Sequence, residues 1–589
     1  MDTPALFVVL ALIAYGVAYF WYSRWYDRAV WAPDAGRTTP AHMLMDGVEY
    51  FPVSKYVLWG YQFKSVAALG PILGPFIAIQ YGWLPALAWI IIGNFFIGWL
   101  QDYSSIMVSL RNEGRSFGPI SYEFMGARGR TTLLWFIILY LLIISATFIF
   151  FIATFFNIFP GVFWATIGVL ATGVIAGRLL YRLRWNVGLV TLLALVGVAL
   201  SILITTDVGV FHVAKNFLGG NTILFWAIVT AVILYLGSVL PLPSFIQPIN
   251  YVAFFPAFVA IVVILVSALI TPLTGVHLQQ SAFKTFYPGL NPGPLWPILF
   301  VAIACGAISG WHSLVSSSST SKQVDIETDA RPVGAGAMLT EGLLALASLA
   351  AYMVLSSKAT GLGSVGAWVT GAQVLTNPWL GFLGTAILAT FFGLVLVVYA
   401  LTVQALVTRF WRLVSAELAG DGRYAVLGNK HVATLIGLVI PVAFAINGSW
   451  WNLWLYFGAS NQLLAGLALM IVSIHLAKVR RDTRPSVIPA TFMIVTTLSA
   501  LVWEIIVFVN AVVTNKPLTQ AGTTLAQPAW HAVALTFNGI FVLFGALLLY
   551  FGLRMTWSSY NAYFRMLRGV QPPAPQPSSS VAMGGAGRK

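Results

Sequence analysis

The sequence predicts an all-α polytopic membrane protein with about 15 transmembrane helices and several broken helices. Of its 589 residues, 59% are hydrophobic and only 8% are charged, too few to form the polar shell of a soluble fold of this length. Apolar runs of 18 or more residues recur to about residue 554, and each is long enough to cross a bilayer as a helix. The basic residues lie between these runs, so the net charge of +14 indicates membrane topology rather than nucleic-acid binding.

The first apolar run, residues 6–21, has no basic segment before it and no small-residue cleavage site. It therefore predicts a first span and not a cleaved signal peptide. The predicted spans are 4–22, 57–80, 83–106, 132–156, 162–178, 186–204, 222–240, 249–271, 297–316, 337–355, 379–408, 432–447, 449–476, 487–509 and 530–554.

The loops between these spans differ in charge. One set contains pairs and clusters of arginine, whereas the other contains Lys215, Lys284, Lys358 and Lys516 and no arginine. Basic loops stay in the cytoplasm, and an odd number of spans puts the termini on opposite sides. We expect a bacterial inner-membrane protein with its N-terminus outside and its C-terminus in the cytoplasm.

The loops are short, which predicts a single transmembrane domain over residues 1–570. Residues 571–589 are rich in Pro, Ser and Gly and are typical of a disordered tail, here cytoplasmic. The single cysteine, Cys305, excludes a disulfide framework and a cysteine-based metal site.

Four segments depart from plain apolar composition and predict breaks in helices. They lie within, or at the end of, spans 57–80, 222–240, 297–316 and 449–476, at residues 70–75, 237–243, 305–313 and 456–462 respectively. Broken helices line cavities in transporters, where freed amides bind anionic groups and freed carbonyls bind cations. The alternative is that Gly and Ser at these places serve close helix packing.

The first two breaks lie five spans apart, and an odd offset inverts the direction of the chain across the membrane. This spacing predicts a five-plus-five inverted repeat with halves of about 57–204 and 222–408.

The candidate substrate-binding residues lie at the four breaks. They are Gly70, Pro71, Gly74, Pro75, Ser238, Ser309, Gly310, His312, Ser460, Asn461 and Gln462. The candidate coupling or gating residues are charged groups at membrane depth or in the basic loops, where burial of a charge is costly. They are Lys64, Asp102, Asp329, Arg331 and Glu341.

Each candidate has a structural alternative. Lys64 could extend to the interface with its stem in lipid, and Asp102 and Glu341 could lie at interfaces. His312 could be a hydrogen-bonded core residue, and Asp329 and Arg331 could be solvated. Two further features stay open. Glu504 lies inside a span outside the repeat, and the serines at 316–319 form either a hydroxyl-lined gate or a polar helix exit.

Several long motifs resemble the carbon starvation protein A (CstA) family of bacterial inner-membrane uptake transporters, over roughly residues 37–475. They are Arg37-Thr38-Thr39-Pro40-Ala41-His42 with Asp46-Gly47, Tyr50 and Pro52; Gly70-Pro71, Gly74-Pro75, Gly82-Trp83-Leu84-Pro85 and Gln101-Asp102; Cys305-Gly306-Ala307-Ile308-Ser309-Gly310 with Glu327-Thr328-Asp329-Ala330-Arg331 and Gly336-Ala337-Met338-Leu339; and Asn452-Leu453-Trp454 with Phe457-Gly458-Ala459-Ser460-Asn461-Gln462. The resemblance implies peptide uptake or proton-coupled pyruvate uptake under nutrient limitation. It also implies a remote relationship to the amino acid–polyamine–cation superfamily.

The chain also departs from the family pattern, and it is shorter than typical members. It has Tyr61-Gln62 in place of a His-His pair, and Lys64 in place of a small residue. It has Ile249-Asn250 after Pro248 in place of Arg-Asp, and Leu401-Thr402-Val403 in place of Leu-Asp-Thr. The hypothesis that follows is that the Lys64 ammonium replaces a coupling cation or pairs with a substrate carboxylate.

The expected function is a symporter for a small carboxylate or a short peptide, coupled to H⁺ or Na⁺ and without a bound cofactor. The expected partners are the small-molecule substrate and the lipid bilayer, and no oligomeric state is predicted. A sensor that binds without transporting would normally carry a soluble output domain, and the sequence contains none. No nucleophile–base set, zinc-type spacing or phosphate loop indicates an enzyme, while a channel stays open as an alternative.

Overall fold

The computed structural model is built from helices, because a chain in lipid must satisfy its backbone hydrogen bonds within each segment. It describes residues 2–206, 222–241, 244–361, 364, 366–419, 425–447, 449–519 and 526–570. Within these ranges no strand forms, and the only β pairing is an isolated bridge between Val53 and Val324.

Thirteen helices in the described part of the chain are long and apolar enough to cross a membrane. They are Ala5–Trp31, Trp83–Leu110, Phe117–Ile158, Gly161–Arg182, Val187–Thr206, Thr222–Val239, Ile246–Leu269, Glu327–Met353, Thr385–Ala419, Lys430–Asn447, Trp450–Lys478, Arg484–Val513 and Pro528–Leu567. The all-α membrane fold is confirmed.

Two further predicted spans are present as pairs of short helices. The first broken span consists of Lys55–Val66 and Gly70–Tyr81, which meet at a bend of 47° and bring the count of candidate spans to 14. The second broken span consists of Leu295–Ala302 and Gly310–Ser318. Each of the fifteen predicted spans therefore has a helical counterpart, although the second broken span is too interrupted to count as one crossing helix.

The predicted bounds of the breaks are wrong in detail: residues 70–75 are helical and the first break lies at residues 67–69, while the second break begins at Ile303 rather than at residue 305. Ala67 is extended, with φ −67° and ψ 118°, and the helix restarts at Gly70. Pro71 explains this position, because proline has no N–H and is tolerated in the first turn of a helix, while disfavouring helical geometry just before it. In the second broken span, the helix restarts at Gly310, directly after an extended Ser309.

The predicted break at 456–462 is wrong, because Trp450–Lys478 is one continuous helix. This segment contains no proline, and a Cβ on Gly458 would overlap the carbonyl oxygen of Val301. The glycine therefore serves close helix packing. The segment 237–243 lies at the end of helix Thr222–Val239, and its residues 242 and 243 fall outside the described residues.

The centre of the bundle contains three long helices. Trp450–Lys478 is buried along the whole of its most apolar stretch, and Phe117–Ile158 and Glu327–Met353 are buried along most of theirs. Helices such as Val187–Thr206 lie at the periphery, where Leu, Ile and Val side chains face outward. The first broken span and Trp83–Leu110 pack against Glu327–Met353, and the second broken span packs against Trp83–Leu110 and Trp450–Lys478. This arrangement positions the site described below.

Residues 32–54, here called the cover segment, lie between the first two spans. The Val53 N–H donates to the carbonyl of Gln323 at 3.0 Å, so the cover segment packs on the loop that follows the second broken span. The predicted repeat halves remain a prediction, and the tail 571–589 lies outside the described residues.

Candidate functional site

The two broken spans touch at their breaks. A Cβ on Gly70 would overlap the side chain of Cys305, and a Cβ on Gly74 would lie 2.7 Å from the carbonyl oxygen of Ala302. Only glycine permits this approach of one backbone to the other span. All four residues predicted at the first break are buried: Gly70, Pro71, Gly74 and Pro75.

The first break leaves backbone donors unpaired. The amides of Ala68, Leu69 and Gly70 donate no hydrogen bond among the described residues, and all three residues are buried. They lie at the N-terminus of the half-helix Gly70–Tyr81, where the helix dipole adds positive potential. This break is therefore rich in donors, as predicted for a site that binds an anionic group.

Three charged or titratable side chains from three different elements meet beside the second break. His312 Nδ1 lies 3.0 Å from Asp102 Oδ2, and His312 Nε2 lies 3.0 Å from Glu341 Oε2. All three side chains are fully buried. We call this group the carboxylate–histidine cluster. It excludes the alternative that Asp102 and Glu341 lie at interfaces.

The cluster is not fully satisfied by hydrogen bonds. The contact between His312 and Asp102 has hydrogen-bond geometry, whereas the 3.0 Å approach to Glu341 does not. Asp102 Oδ1 and both Glu341 oxygens have no hydrogen-bond partner among the described residues. Groups at this distance exchange and share protons as one unit, so the cluster can hold a variable number of protons in the middle of the bundle.

Asn461 holds the second break in place. Its Oδ1 accepts from the Trp311 N–H and from the Tyr140 hydroxyl, both at 3.0 Å, and its Nδ2 donates to Ser309 Oγ at 3.0 Å. Gly310 lies so close that a Cβ there would overlap the Asn461 carbonyl oxygen. The predicted residues Ser309, Gly310, His312 and Asn461 are thus brought together, with Asn461 bonded to protein groups.

The other predicted binding residues lie elsewhere. Gln462 donates to the carbonyls of Phe300 and Ile303, at 3.0 and 3.1 Å, and so caps the half-helix before the second break. Ser460 donates to a carbonyl of its own helix at 2.7 Å. Ser238 lies 2.9 Å from Thr434 in another pair of helices, and it contacts no residue of the cluster.

Lys64 is buried at the end of the half-helix Lys55–Val66, with 2% of its surface exposed. Its ammonium lies 2.5 Å from Thr402 Oγ1 and 5.0 Å from the centre of the Tyr399 ring. It forms no ion pair with any described residue. The alternative that Lys64 extends to the membrane interface is therefore wrong.

The serine-rich segment, residues 316–319, forms polar contacts with two other spans. Tyr61 and Ser319 bond through their hydroxyls at 2.7 Å, and Gln62 donates to Ser316 Oγ at 3.0 Å. Ser109 contacts the carbonyl of Ser317 at 3.0 Å. The segment therefore joins the first broken span and Trp83–Leu110 to the second broken span, which is the arrangement expected of a closed gate.

Glu327 ties the cover segment to the bundle. It is 2% exposed and accepts two bonds from Arg111, at 2.5 and 3.1 Å. It also accepts from the Asp34 N–H at 2.7 Å, and His42 lies 2.7 Å from Asp325 nearby. The first and third sequence motifs therefore meet in space.

The predicted gating residues Asp329 and Arg331 flank this contact but do not pair with each other. Asp329 lies 3.6 Å from Lys55, and Arg331 donates to the Tyr19 carbonyl at 3.3 Å. Asp46, on the cover segment, accepts three backbone N–H bonds from residues 48–50, which hold the pKa of its carboxyl below its usual range. It stabilises a turn rather than an ion pair.

Sequence reasoning missed the partners of the candidate residues. Thr402, Tyr399 and Glu327 carry no pattern that marks them as partners of Lys64 or Arg111 across hundreds of residues. A polar residue in an apolar helix was the available signal for Thr402. Glu504 has a partner as well, since Asn452 donates to it at 3.0 Å, away from the cluster.

The family model described as carbon starvation protein CstA matches residues 3–377 and 357–500. A peptide transporter CstA of Campylobacter jejuni is 29% identical over 563 residues, covering 83% of this chain and 79% of that protein. A peptide transporter CstA of Bacillus subtilis is 27% identical, covering 85% of this chain and 90% of that protein. The pyruvate/proton symporter BtsT of Escherichia coli is 33% identical over 376 residues, covering 61% of this chain and 51% of that protein.

Among solved structures, a manganese transporter of Eremococcus coleocola aligns with 88% of this chain and 99% of its own. The TM-score is 0.44 and the sequence identity is 12%.

Proposed function

Because the chain belongs to the carbon starvation protein CstA family, we propose that it is a proton-coupled symporter for a short peptide or a pyruvate-like carboxylate. Its relatives are named transporters, and the chain is accordingly a multi-pass membrane transporter and not an enzyme. We include in the proposal a role in uptake during carbon starvation, which the family description suggests.

The carboxylate–histidine cluster is the observation that carries the proposal. Buried titratable groups are rare in membrane helices, where a charge at the bilayer centre costs on the order of 2.5 kcal/mol or more. Here one of them, His312, lies 3.0 Å from each of the other two, Asp102 and Glu341, directly beside the break of the second broken span. A proton bound to the cluster would make its net charge less negative. The unpaired amides of the first break, which could bind a substrate, lie close by, so proton binding and substrate binding could be coupled.

The arrangement favours a proton over Na⁺ as the coupling ion. The imidazole of His312 lies between the carboxyl groups of Asp102 and Glu341, with one ring nitrogen 3.0 Å from each. The ring fills the place between the two carboxylates that a shared cation would otherwise take. Imidazole is also the side chain best suited to exchange protons near neutral pH.

The proposed location is the bacterial cytoplasmic membrane, with the basic loops and the cover segment on the inner side. The positive-inside rule supports this orientation, since Arg111 and the other loop arginines share one side of the predicted topology. The N-terminus would then lie outside and the C-terminus in the cytoplasm. Uptake would end with release of the substrate past the serine-rich segment.

Uptake by the purified protein in sealed proteoliposomes tests the proposal. Labelled pyruvate and a labelled dipeptide are compared with a lower pH outside than inside, with equal pH, and with an inward Na⁺ gradient. We expect one of the two substrates to accumulate above its external concentration when the outside is acidic. A protonophore should abolish this accumulation.

Other outcomes would contradict the proposal. Accumulation driven by the Na⁺ gradient alone would assign a different coupling ion. Saturable binding of either substrate without accumulation, in vesicles that retain a trapped dye, would indicate a sensor. Dissipation of the proton gradient without substrate would indicate a channel.

A further inference from the structure

Lys64 is a buried cation that the proton-binding cluster does not use. Removing an ammonium from water is costly unless an anion or several acceptors replace its hydration. The described residues offer it one hydroxyl oxygen, on Thr402, and one aromatic face, on Tyr399. At least one of its three N–H groups therefore remains for an acceptor that the protein does not supply.

The Thr402 hydroxyl is oriented for this role. It donates its own hydrogen to the Val398 carbonyl at 2.7 Å, so its oxygen lone pairs face the Lys64 ammonium at 2.5 Å. The Lys64 nitrogen is thereby fixed in one position, and no carboxylate of a described residue lies within ion-pair distance of it.

The groups next to Lys64 in the chain are also donors without acceptors. The Ser65 hydroxyl is buried and has no hydrogen-bond partner among the described residues. The three amides of residues 68–70 follow, unpaired, at the start of the half-helix. The carboxyl groups of Asp102 and Glu341, in contrast, both face His312.

The Lys64 region adjoins the cluster. The Trp311 indole N–H donates to the Ser65 carbonyl at 2.9 Å, and Trp311 directly precedes His312. A solute bound at Lys64 would therefore lie against the same break that carries the cluster.

We propose that the Lys64 ammonium binds the carboxylate of the substrate, and that the substrate is a small monocarboxylate anion rather than a peptide. This inference rests on the proposed transport function and deepens it. A peptide brings an ammonium that needs an acid of its own, and the His312 ring already lies 3.0 Å from each of the two acids nearby, Asp102 and Glu341, so a second cation there would compete with the ring. A monocarboxylate needs only donors, and it is neutral overall when it moves with one proton.

Equilibrium binding to the detergent-solubilised protein, without any gradient, tests the inference separately from coupling. The probes are labelled pyruvate and a labelled dipeptide, and the variants are Lys64→Met, Thr402→Asp and the control Lys358→Met on an exposed loop. We expect the wild type to bind pyruvate and not the dipeptide. We expect Lys64→Met to weaken pyruvate binding about 10- to 100-fold, as for loss of a charged hydrogen bond. The control should bind pyruvate as the wild type does.

Thermal unfolding of the same variants separates binding from a structural role. Lys64→Met removes an unneutralised buried charge, so its midpoint should equal or exceed that of the substrate-free wild type. Thr402→Asp supplies an internal carboxylate, which should raise the midpoint and weaken pyruvate binding by competing for the ammonium.

Three results would overturn the inference. They are an unchanged pyruvate affinity in Lys64→Met, an unchanged affinity in Thr402→Asp, and wild-type binding of the dipeptide in preference to pyruvate. Failure of the proposed function is distinct, because it would appear as binding that no proton gradient converts into accumulation.

Discussion

His312 donates to two carboxylates when its ring carries a hydrogen on both nitrogens, and a ring nitrogen without a hydrogen can instead accept from a protonated carboxyl. In the structure the Asp102 contact is a hydrogen bond and the Glu341 contact is a close approach of equal length. This asymmetry indicates that Asp102 orients the ring, while Glu341 is the member whose bonding can change. Proton loading and release should therefore depend most on Glu341.

Glu341→Gln tests this assignment, because glutamine keeps the shape of the side chain and cannot take up a proton. We expect the variant to lose accumulation driven by an acidic exterior, and to retain exchange of labelled for unlabelled substrate without a gradient. Uptake should also lose its dependence on external pH, because the variant removes one of the proton-binding groups of the cluster.

Glu113→Gln is the control, since Glu113 is exposed and pairs only with Arg115 in a surface turn. Wild-type accumulation in Glu341→Gln would contradict a coupling role for the cluster. Loss of exchange together with accumulation would instead assign Glu341 to substrate binding or folding.

The sequence identified Asp102, His312 and Glu341 one at a time, because each is a polar group in an apolar helix. It could not bring them together, since the contacts join residues separated by 210 positions in the case of Asp102 and His312. Ser238 and Ser460 had the same appearance in the sequence, and they bond to their own helix or a neighbouring helix. Hydroxyl groups near a glycine satisfy helix backbones as readily as they line cavities.

At the scale of the helix, proline marks the first broken span but not the second. The first broken span has two Gly-Pro pairs, and its helix ends just before them. The segment 456–462 has glycine, serine and two amides but no proline, and it stays helical because every N–H can still donate. The second break contains no proline either, and glycine and serine predicted it at 305–313 by the same signal that was wrong at 456–462. The position of this break depends on Asn461 of the neighbouring helix Trp450–Lys478, whose side-chain oxygen accepts the Trp311 N–H.

Gly458→Ala tests whether this glycine serves packing and not a cavity. The added methyl group would overlap the Val301 carbonyl, so the helices must separate. We expect a loss of about 1–3 kcal/mol of stability, as for other overpacked cores. The thermal unfolding midpoint in detergent is the measurement.

Gly539→Ala is the matched control, because nothing lies within 4 Å of a Cβ at that helical position. An unchanged midpoint in Gly458→Ala, with weakened substrate binding, would place this glycine in a cavity instead.

At the scale of the whole molecule, polar contacts close the end of the bundle at which Arg111 lies. The serine-rich segment joins three spans, and the cover segment lies over it, tied by Glu327 to Arg111. Hydropathy predicted the number of spans well, because each helix must present apolar residues to lipid. The cover segment could not be predicted, because its contacts join residues near 34 and 327 through a single buried carboxylate.

Glu327→Gln should loosen this closure. The change leaves Arg111 without its ionic partner in a largely buried place, which typically costs about 3–5 kcal/mol in a fully buried pair and less here. We expect faster amide hydrogen exchange in residues 34–54 and 319–329, with little change in helix Trp450–Lys478.

Glu49→Gln is the control for this experiment, since Glu49 pairs with Lys322 on the exposed surface of the same cover segment. Equal exchange in Glu327→Gln and the wild type would show that the cover segment is held by its backbone contacts alone.

Cys305 gives the molecule a built-in reporter. It is the only cysteine in the chain, it lies where the two broken spans touch, and 3% of its surface is exposed. A maleimide dye added to the unmodified protein can therefore react at one place, and only after the two breaks separate. The rate of labelling, followed with and without substrate, measures how often the wild-type transporter opens.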